Sequence, residues 1–276
     1  MTQNSKKFSD DAPIGVFDSG IGGLTVLKAL RHHFPNESYI YLGDTARLPY
    51  GTKSPETVAR YAASLTKELT NRGVKAIVIA CNTASTHGLN AVKALAGDIP
   101  VIGMIEPTSL AASKATKNYH IGVMATFGTI KSKVYTKSLL NFMPNGKISP
   151  VACQMMVALA EEGWVEGNIP LSVIHRYLDP IFDQPQAPDT LILGCTHFPV
   201  FEKLLKDILG HSVTLINSGE AASIYLSGYL KDSKNKQIGK VKFLVTDDPL
   251  RFADNAKKFY DVGLKAEDVT LIDIKG

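Results

Sequence analysis

Two cysteines in this sequence stand where a thiol can do chemistry. Cys195 ends the run Leu191-Ile192-Leu193-Gly194 and leads into Thr196, His197, Phe198 and Pro199. Cys81 ends the run Ala76-Ile77-Val78-Ile79-Ala80 and leads into Asn82, Thr83, Ala84 and Ser85. Each run has the length and composition of a strand buried in a parallel sheet, and each gives way to a helical pattern. Both thiols therefore belong at the carboxyl ends of strands, where open α/β sheets collect ligands. The first turn of a following helix offers free N–H groups and a positive dipole end, which favour a thiolate. Cysteine at a strand end is also a common core residue; the recurrence of the pattern is what argues for function. Cys153, in an apolar stretch without polar partners, reads as core.

Two thiols facing across a cleft have three main uses: disulfide redox chemistry, metal binding and acid–base work. Redox pairs usually lie close together as Cys-x-x-Cys, whereas Cys81 and Cys195 fall in different halves of the chain. A metal would want further thiolate or imidazole ligands, and only His197 is an obvious helper. Proton transfer is the leading reading, with a thiolate on one face and a thiol on the other. This suits racemisation, in which one side removes an α-proton and the other returns it with inverted configuration.

The elements that must position these groups repeat. Ile14-Gly15-Val16 opens a strand ending in Asp18-Ser19-Gly20, and Ile121-Gly122-Val123 opens one ending in Thr126-Phe127-Gly128-Thr129. Each half runs from an Ile-Gly-Val strand to a cysteine strand. The fold class read from this is α/β: two similar, pseudo-symmetric three-layer domains with mostly parallel sheets and an active site in the cleft between them. The pattern predicts strands at Ile14–Phe17, Tyr39–Leu42, Ile99–Ile105, Tyr119–Met124, Val213–Asn217 and Val241–Thr246, besides the two cysteine strands. It predicts helices at Leu24–His33, Ser54–Arg72, Ser132–Phe142, Val151–Gly163, Leu171–Phe182, Val200–Leu209, Glu220–Leu230 and Pro249–Tyr260. The segments after Val213 read as additions to the first half. The first domain is then residues 1–104 with 216–276, and the second is 105–215. The turn Asp18–Gly23 cradles anionic groups well, but it is neither a dinucleotide fingerprint nor a P-loop. Asp18 suits a cationic ligand group or a structural turn. Tyr50, in the polar loop Gly43–Gly51, suits ligand contact or packing. Glu161 and Glu162 end a helix where the dipole disfavours carboxylates, which marks them as a functional pair or as two solvated side chains.

Composition sets the bounds. With 45% hydrophobic and 20% charged residues the chain is an ordinary globular protein. A net charge of +4 spread over scattered lysines gives no nucleic-acid footprint. The densest basic run, Lys231 to Lys236, reads as a solvated loop, and residues 1–12 as loosely attached. No apolar run approaches a membrane span, and the polar start carries no secretory signal, so a cytoplasmic location is expected.

Several segments resemble the bacterial glutamate racemase family. They are Ile14–Val26, Tyr41–Gly51 (Tyr-Leu-Gly-Asp-Thr-Ala-Arg-Leu-Pro-Tyr-Gly), Ala80–Ser85, Ala125–Ser132 and Leu193–Pro199. The likeness covers nearly the whole chain from residue 13. It departs where Phe198 replaces a usual tyrosine and where Pro107-Thr108 stands for Pro-Gly or Pro-Ala. The resemblance implies cofactor-independent interconversion of L- and D-glutamate, supplying D-glutamate for peptidoglycan. It implies Cys81 and Cys195 as the two proton donor/acceptors, with Asp18 and His197 assisting and Glu161 orienting His197. Asp18, Ser19, Tyr50, Gly51, Asn82, Thr83, Thr196 and His197 would contact the substrate, with Thr126 and Thr129 as further contacts. No metal and no cofactor are implied. The expected partner is the small molecule glutamate, with a homodimer as the candidate assembly and neither nucleic acid nor membrane. The rivals are a racemase of aspartate or another amino acid, a sugar-kinase-like phosphotransferase suggested by the glycine-rich turn, and a two-lobed binding protein without chemistry.

Overall fold

The computed structural model describes residues 11–230, 237–260 and 263–274. The Lys231–Lys236 run and the tail before residue 11 lie outside the described residues. The chain opens with β1 (Ile14–Asp18), α1 (Leu24–His33), β2 (Tyr39–Gly43), α2 (Pro55–Asn71), β3 (Ala76–Ile79), α3 (Asn82–Ala96) and β4 (Val101–Ile102). It continues through α4 (Ile105–Ala115), β5 (His120–Ala125), α5 (Phe127–Lys131), α6 (Val134–Phe142), β6 (Lys147–Ala152), α7 (Gln154–Glu162), α8 (Asn168–Phe182) and β7 (Thr190–Gly194). After a 3-10 turn at Phe198–Phe201 come α9 (Glu202–Leu209), β8 (Thr214–Asn217), α10 (Ser218–Leu226), β9 (Val241–Val245), α11 (Pro249–Tyr260) and β10 (Val269–Leu271).

Two parallel sheets result. One has the order β10-β9-β2-β1-β3-β4 and the other β6-β5-β7-β8. Strands β1, β2, β3, β5 and β7 are buried along their whole lengths, which is why they read as unbroken apolar runs. Within the first sheet the order β2-β1-β3-β4 matches β6-β5-β7-β8 in the second, so the two halves share a topology. The register completes the match. Phe17 pairs with Ile79, and the Ala80 N–H donates to the Phe17 carbonyl, so Asp18 ends β1 beside Ala80, and Ser19 and Cys81 follow side by side. Ala125 pairs with Gly194, so Thr126 and Cys195 emerge side by side beyond β5 and β7.

Several expectations change. Val213–Asn217 was placed with the first half; β8 instead pairs with β7 in the second sheet, and the chain rejoins the first sheet only at β9, beside β2. The helix predicted from Val151 begins at Gln154, because Lys147–Ala152 is an edge strand against β5. Its Pro150, which cannot donate to a ladder, and its partly exposed face hid that strand. The helix predicted from Ser132 starts at Val134, because Lys133 takes a left-handed backbone (φ 58°) that separates it from α5. Ile99–Ile105 shortens to the two-residue β4, and Ile105 already belongs to α4.

Candidate active site

Cys81 is the N-cap of α3, and the Ala84 N–H donates to its Sγ at 3.4 Å. The N–H groups of Asn82 and Thr83 begin the same 15-residue helix and have no intrahelical acceptor. The expectation that Cys195 holds the same position fails. Pro199 and the buried Phe198 and Phe201 form a 3-10 turn, closed by the Phe198 N–H on the Cys195 carbonyl, and α9 starts only at Glu202. Cys195 has a histidine instead. His197 Nδ1 lies 3.8 Å from the Cys195 Sγ, and its Nε2 lies 3.2 Å from Glu161 Oε1. The Phe259 ring packs edge-on against the imidazole at 5.4 Å. Glu162 is exposed, so α7 turns Glu161 and not its neighbour toward His197.

The electrostatics of the two sulfurs differ accordingly. Burial and then the Asp18 carboxylate push the Cys81 thiol up to about 12. Burial would push the His197 imidazole down, but its bonds to Cys195 and Glu161 prevail and raise it to about 10. Its bond to His197 in turn holds the Glu161 carboxyl below its ordinary value against the effect of burial. Cys195 thus faces a cation, and Cys81 faces a carboxylate. Asp18 is fully buried, and burial raises its carboxyl despite His197 and the N–H groups of Gly23, Gly20 and Ser19. Its Oδ2 accepts from Gly20 and Gly23 at 3.1 and 3.0 Å, a turn role, while its Oδ1 has no hydrogen-bond partner.

Both cysteines line one small cavity of about 30 Å³, room for about one or two waters. Ser19, Tyr50, Gly51, Asn82 and Thr83 line it from the first half, and Thr126, Glu161, Thr196 and His197 from the second. The structure therefore brings together every residue that the resemblance assigns to the site except Asp18 and Thr129, which stand behind the wall. The Tyr50 hydroxyl donates to Asp44, a buried carboxylate that also receives Arg47 Nε at 2.9 Å and the Thr246 hydroxyl at 3.0 Å. What Tyr50 offers the cavity is its ring and backbone. Asn82 Oδ1 accepts from the Tyr135 hydroxyl at 2.6 Å, which leaves its Nδ2 unpartnered. Hydroxyls of Thr83 and Thr126 meet across the halves at 3.0 Å, and Thr129 joins both. Thr25 of α1 ties the cysteine turn to the first half by donating to the Thr196 carbonyl at 2.9 Å. Gln154 and Val157 also line the cavity and were missed. Residues 154, 157 and 161 share one face of α7, a signal readable only once the helix start is known. A larger groove of about 1070 Å³ runs beside α1 and α11 and contains neither cysteine.

Two parallel α/β halves that each present a cysteine to one small cavity define a racemase-type architecture, and comparison with known proteins agrees. The Asp/Glu/hydantoin racemase family matches residues 24–223. The glutamate racemase of Geobacter metallireducens is 40% identical over 267 residues, covering 92% of this chain and 97% of the relative. Among solved structures, a glutamate racemase from Francisella tularensis in complex with D-glutamate superposes with a TM-score of 0.87 at 38% identity, covering 96% of this chain and 98% of that one. A glutamate racemase isoform from Bacillus anthracis gives 0.88 at 36% identity with the same coverage. This chain belongs to the Asp/Glu/hydantoin racemase family, and it is an enzyme.

Proposed function

We propose that the chain interconverts L- and D-glutamate by a two-base mechanism, and that the D-enantiomer it makes supplies peptidoglycan synthesis. The observation that carries this is the pair Cys81 and Cys195 on one cavity, donated by opposite halves of a duplicated fold. In the L-to-D direction the Cys195 thiolate, held beside the His197 cation, takes the α-proton. The Cys81 thiol, kept protonated by burial and by Asp18, delivers a proton to the opposite face. In reverse the roles exchange, with Asp18 and His197 behind the two sulfurs to hold or return the proton each gives up. The Asn82 and Thr83 N–H groups and the Asn82 Nδ2 suit a carboxylate of the substrate. The developing carbanion is met by these preorganised dipoles in a site that excludes water.

The same reading divides the chain into two lobes that part to admit an amino acid, since 30 Å³ cannot hold one. The first lobe is residues 1–104 with the C-terminal segment. The second runs on to Asn217 rather than 215, because β8 is paired within it. In D2O, each glutamate enantiomer should acquire one α-deuterium as it inverts, with the product labelled before the remaining substrate. Racemisation without solvent deuterium in the product would sink the two-base reading.

A further inference from the structure

Gln154 opens α7, the helix whose opposite end carries Glu161. The spacing 154, 157, 161 follows one helical face, so the face that aims Glu161 at His197 aims Gln154 at the same cavity. The residue lines that cavity, and its Oε1 is buried without a hydrogen-bond partner. A buried amide oxygen left unpaired is costly, and native proteins rarely tolerate one without a purpose. Two other buried side-chain atoms without a hydrogen-bond partner lie at this site, Asn82 Nδ2 in the cavity lining and Asp18 Oδ1 behind it. Unmatched groups thus come together where the ligand goes. Asp18 and Asn82 come from the first half. Gln154 is their counterpart on the second.

From this we infer that the Gln154 side-chain amide hydrogen-bonds the bound amino acid and helps to set its affinity. The inference rests on the glutamate reading above. An amide has both a donor and an acceptor end, and the two are exchanged by a half-turn of χ3. It can therefore serve either the ammonium or a carboxylate of glutamate without the desolvation cost of a charged side chain. No other side chain from α7 can do this, because Val157 is apolar and Glu161 is engaged with His197.

The test is Gln154→Met, which keeps chain length and helix propensity and removes both polar ends. KM for both enantiomers should rise roughly threefold to tenfold, the worth of one net hydrogen bond. The corresponding kcat should change less than twofold, because the chemistry stays with the cysteines. The unliganded variant should melt no lower than the wild type, since an unpaired buried oxygen has been removed. D-glutamate should raise its melting temperature by less than it raises that of the wild type. A KM within twofold of the wild type, or an equal thermal shift with D-glutamate, overturns the inference. So does a lowered melting temperature with KM unmoved, which would make Gln154 structural. If the wild type itself neither racemises glutamate nor is stabilised by it, the functional reading has failed, and Gln154 has not been the cause.

Discussion

Cys81 and Cys195 occupy equivalent places in the two sheets, yet their neighbours are of opposite charge. Asp18, one residue before the register neighbour of Cys81, sets a carboxylate against that sulfur, whereas the same position in the second half is the apolar Ala125 and Thr126 answers to Ser19. On the Cys195 side the polar partner arrives from the turn itself, as His197. A buried carboxyl thus backs one sulfur, and a histidine cation backs the other. The His197 cation has a measurable signature. Its folded pKa of about 10 lies above the ordinary 6.5, so its stabilising contribution is complete below about pH 6.5. That contribution fades as pH rises and is lost near 10. His197→Asn should therefore melt below the wild type at pH 6, and the gap should close steadily toward pH 10. A gap that is constant with pH, or that widens, would show that His197 is neutral in the folded enzyme.

At the scale of elements, backbone from one half packs tightly against the other. The turn between β1 and α1 lies directly against the Cys195 turn. A Cβ on Gly22 would fall 2.5 Å from Thr196 Oγ1 and 2.6 Å from the His197 ring. Glycine here is a spacing requirement, and its φ is not unusual. Gly22→Ala must push His197 off its line between Cys195 and Glu161, since Phe259 backs the ring on another side. The expected result is a loss in kcat of about tenfold or more, because misplacement by a fraction of an ångström suffices. The melting temperature should fall by only a few degrees. Unchanged kinetics in Gly22→Ala would mean that the two halves are looser here than the structure indicates.

For the whole molecule, duplication supplies one base to each face of the substrate. The two single-cysteine variants should then fail in opposite senses. Cys81→Ser and Cys195→Ser should each lose racemisation, because serine is far less acidic than a thiol. Each should keep one functional face. Presented with a β-chloro analogue of glutamate, a one-base enzyme can remove the α-proton and expel chloride without reprotonation from the far side. Cys195→Ser should eliminate from the D-analogue, and Cys81→Ser from the L-analogue. Equal residual elimination from both enantiomers by both variants would contradict the assignment of one cysteine to each face.

Much of this was readable from the chain. The apolar runs ending at Asp18, Cys81, Thr126 and Cys195 are local patterns, since a strand buried on both faces must be apolar throughout. Their repetition by itself discloses two halves and a shared cleft. Less local features were hidden. The edge strand β6 carries a proline and an exposed face, so its composition resembles a loop; only its place opposite β5 makes it a strand. Membership of β8 was undetermined, because an apolar run does not say which sheet edge it joins. The 3-10 turn after Cys195 depends on where Phe198 and Phe201 find a core to bury in. Gln154 gained meaning only when the start of α7 fixed its phase relative to Glu161. Periodicity determined the strands and their polar ends. Pairing, helix phase and the charge that each sulfur faces depend on residues distant in the chain, and tertiary structure alone decided those.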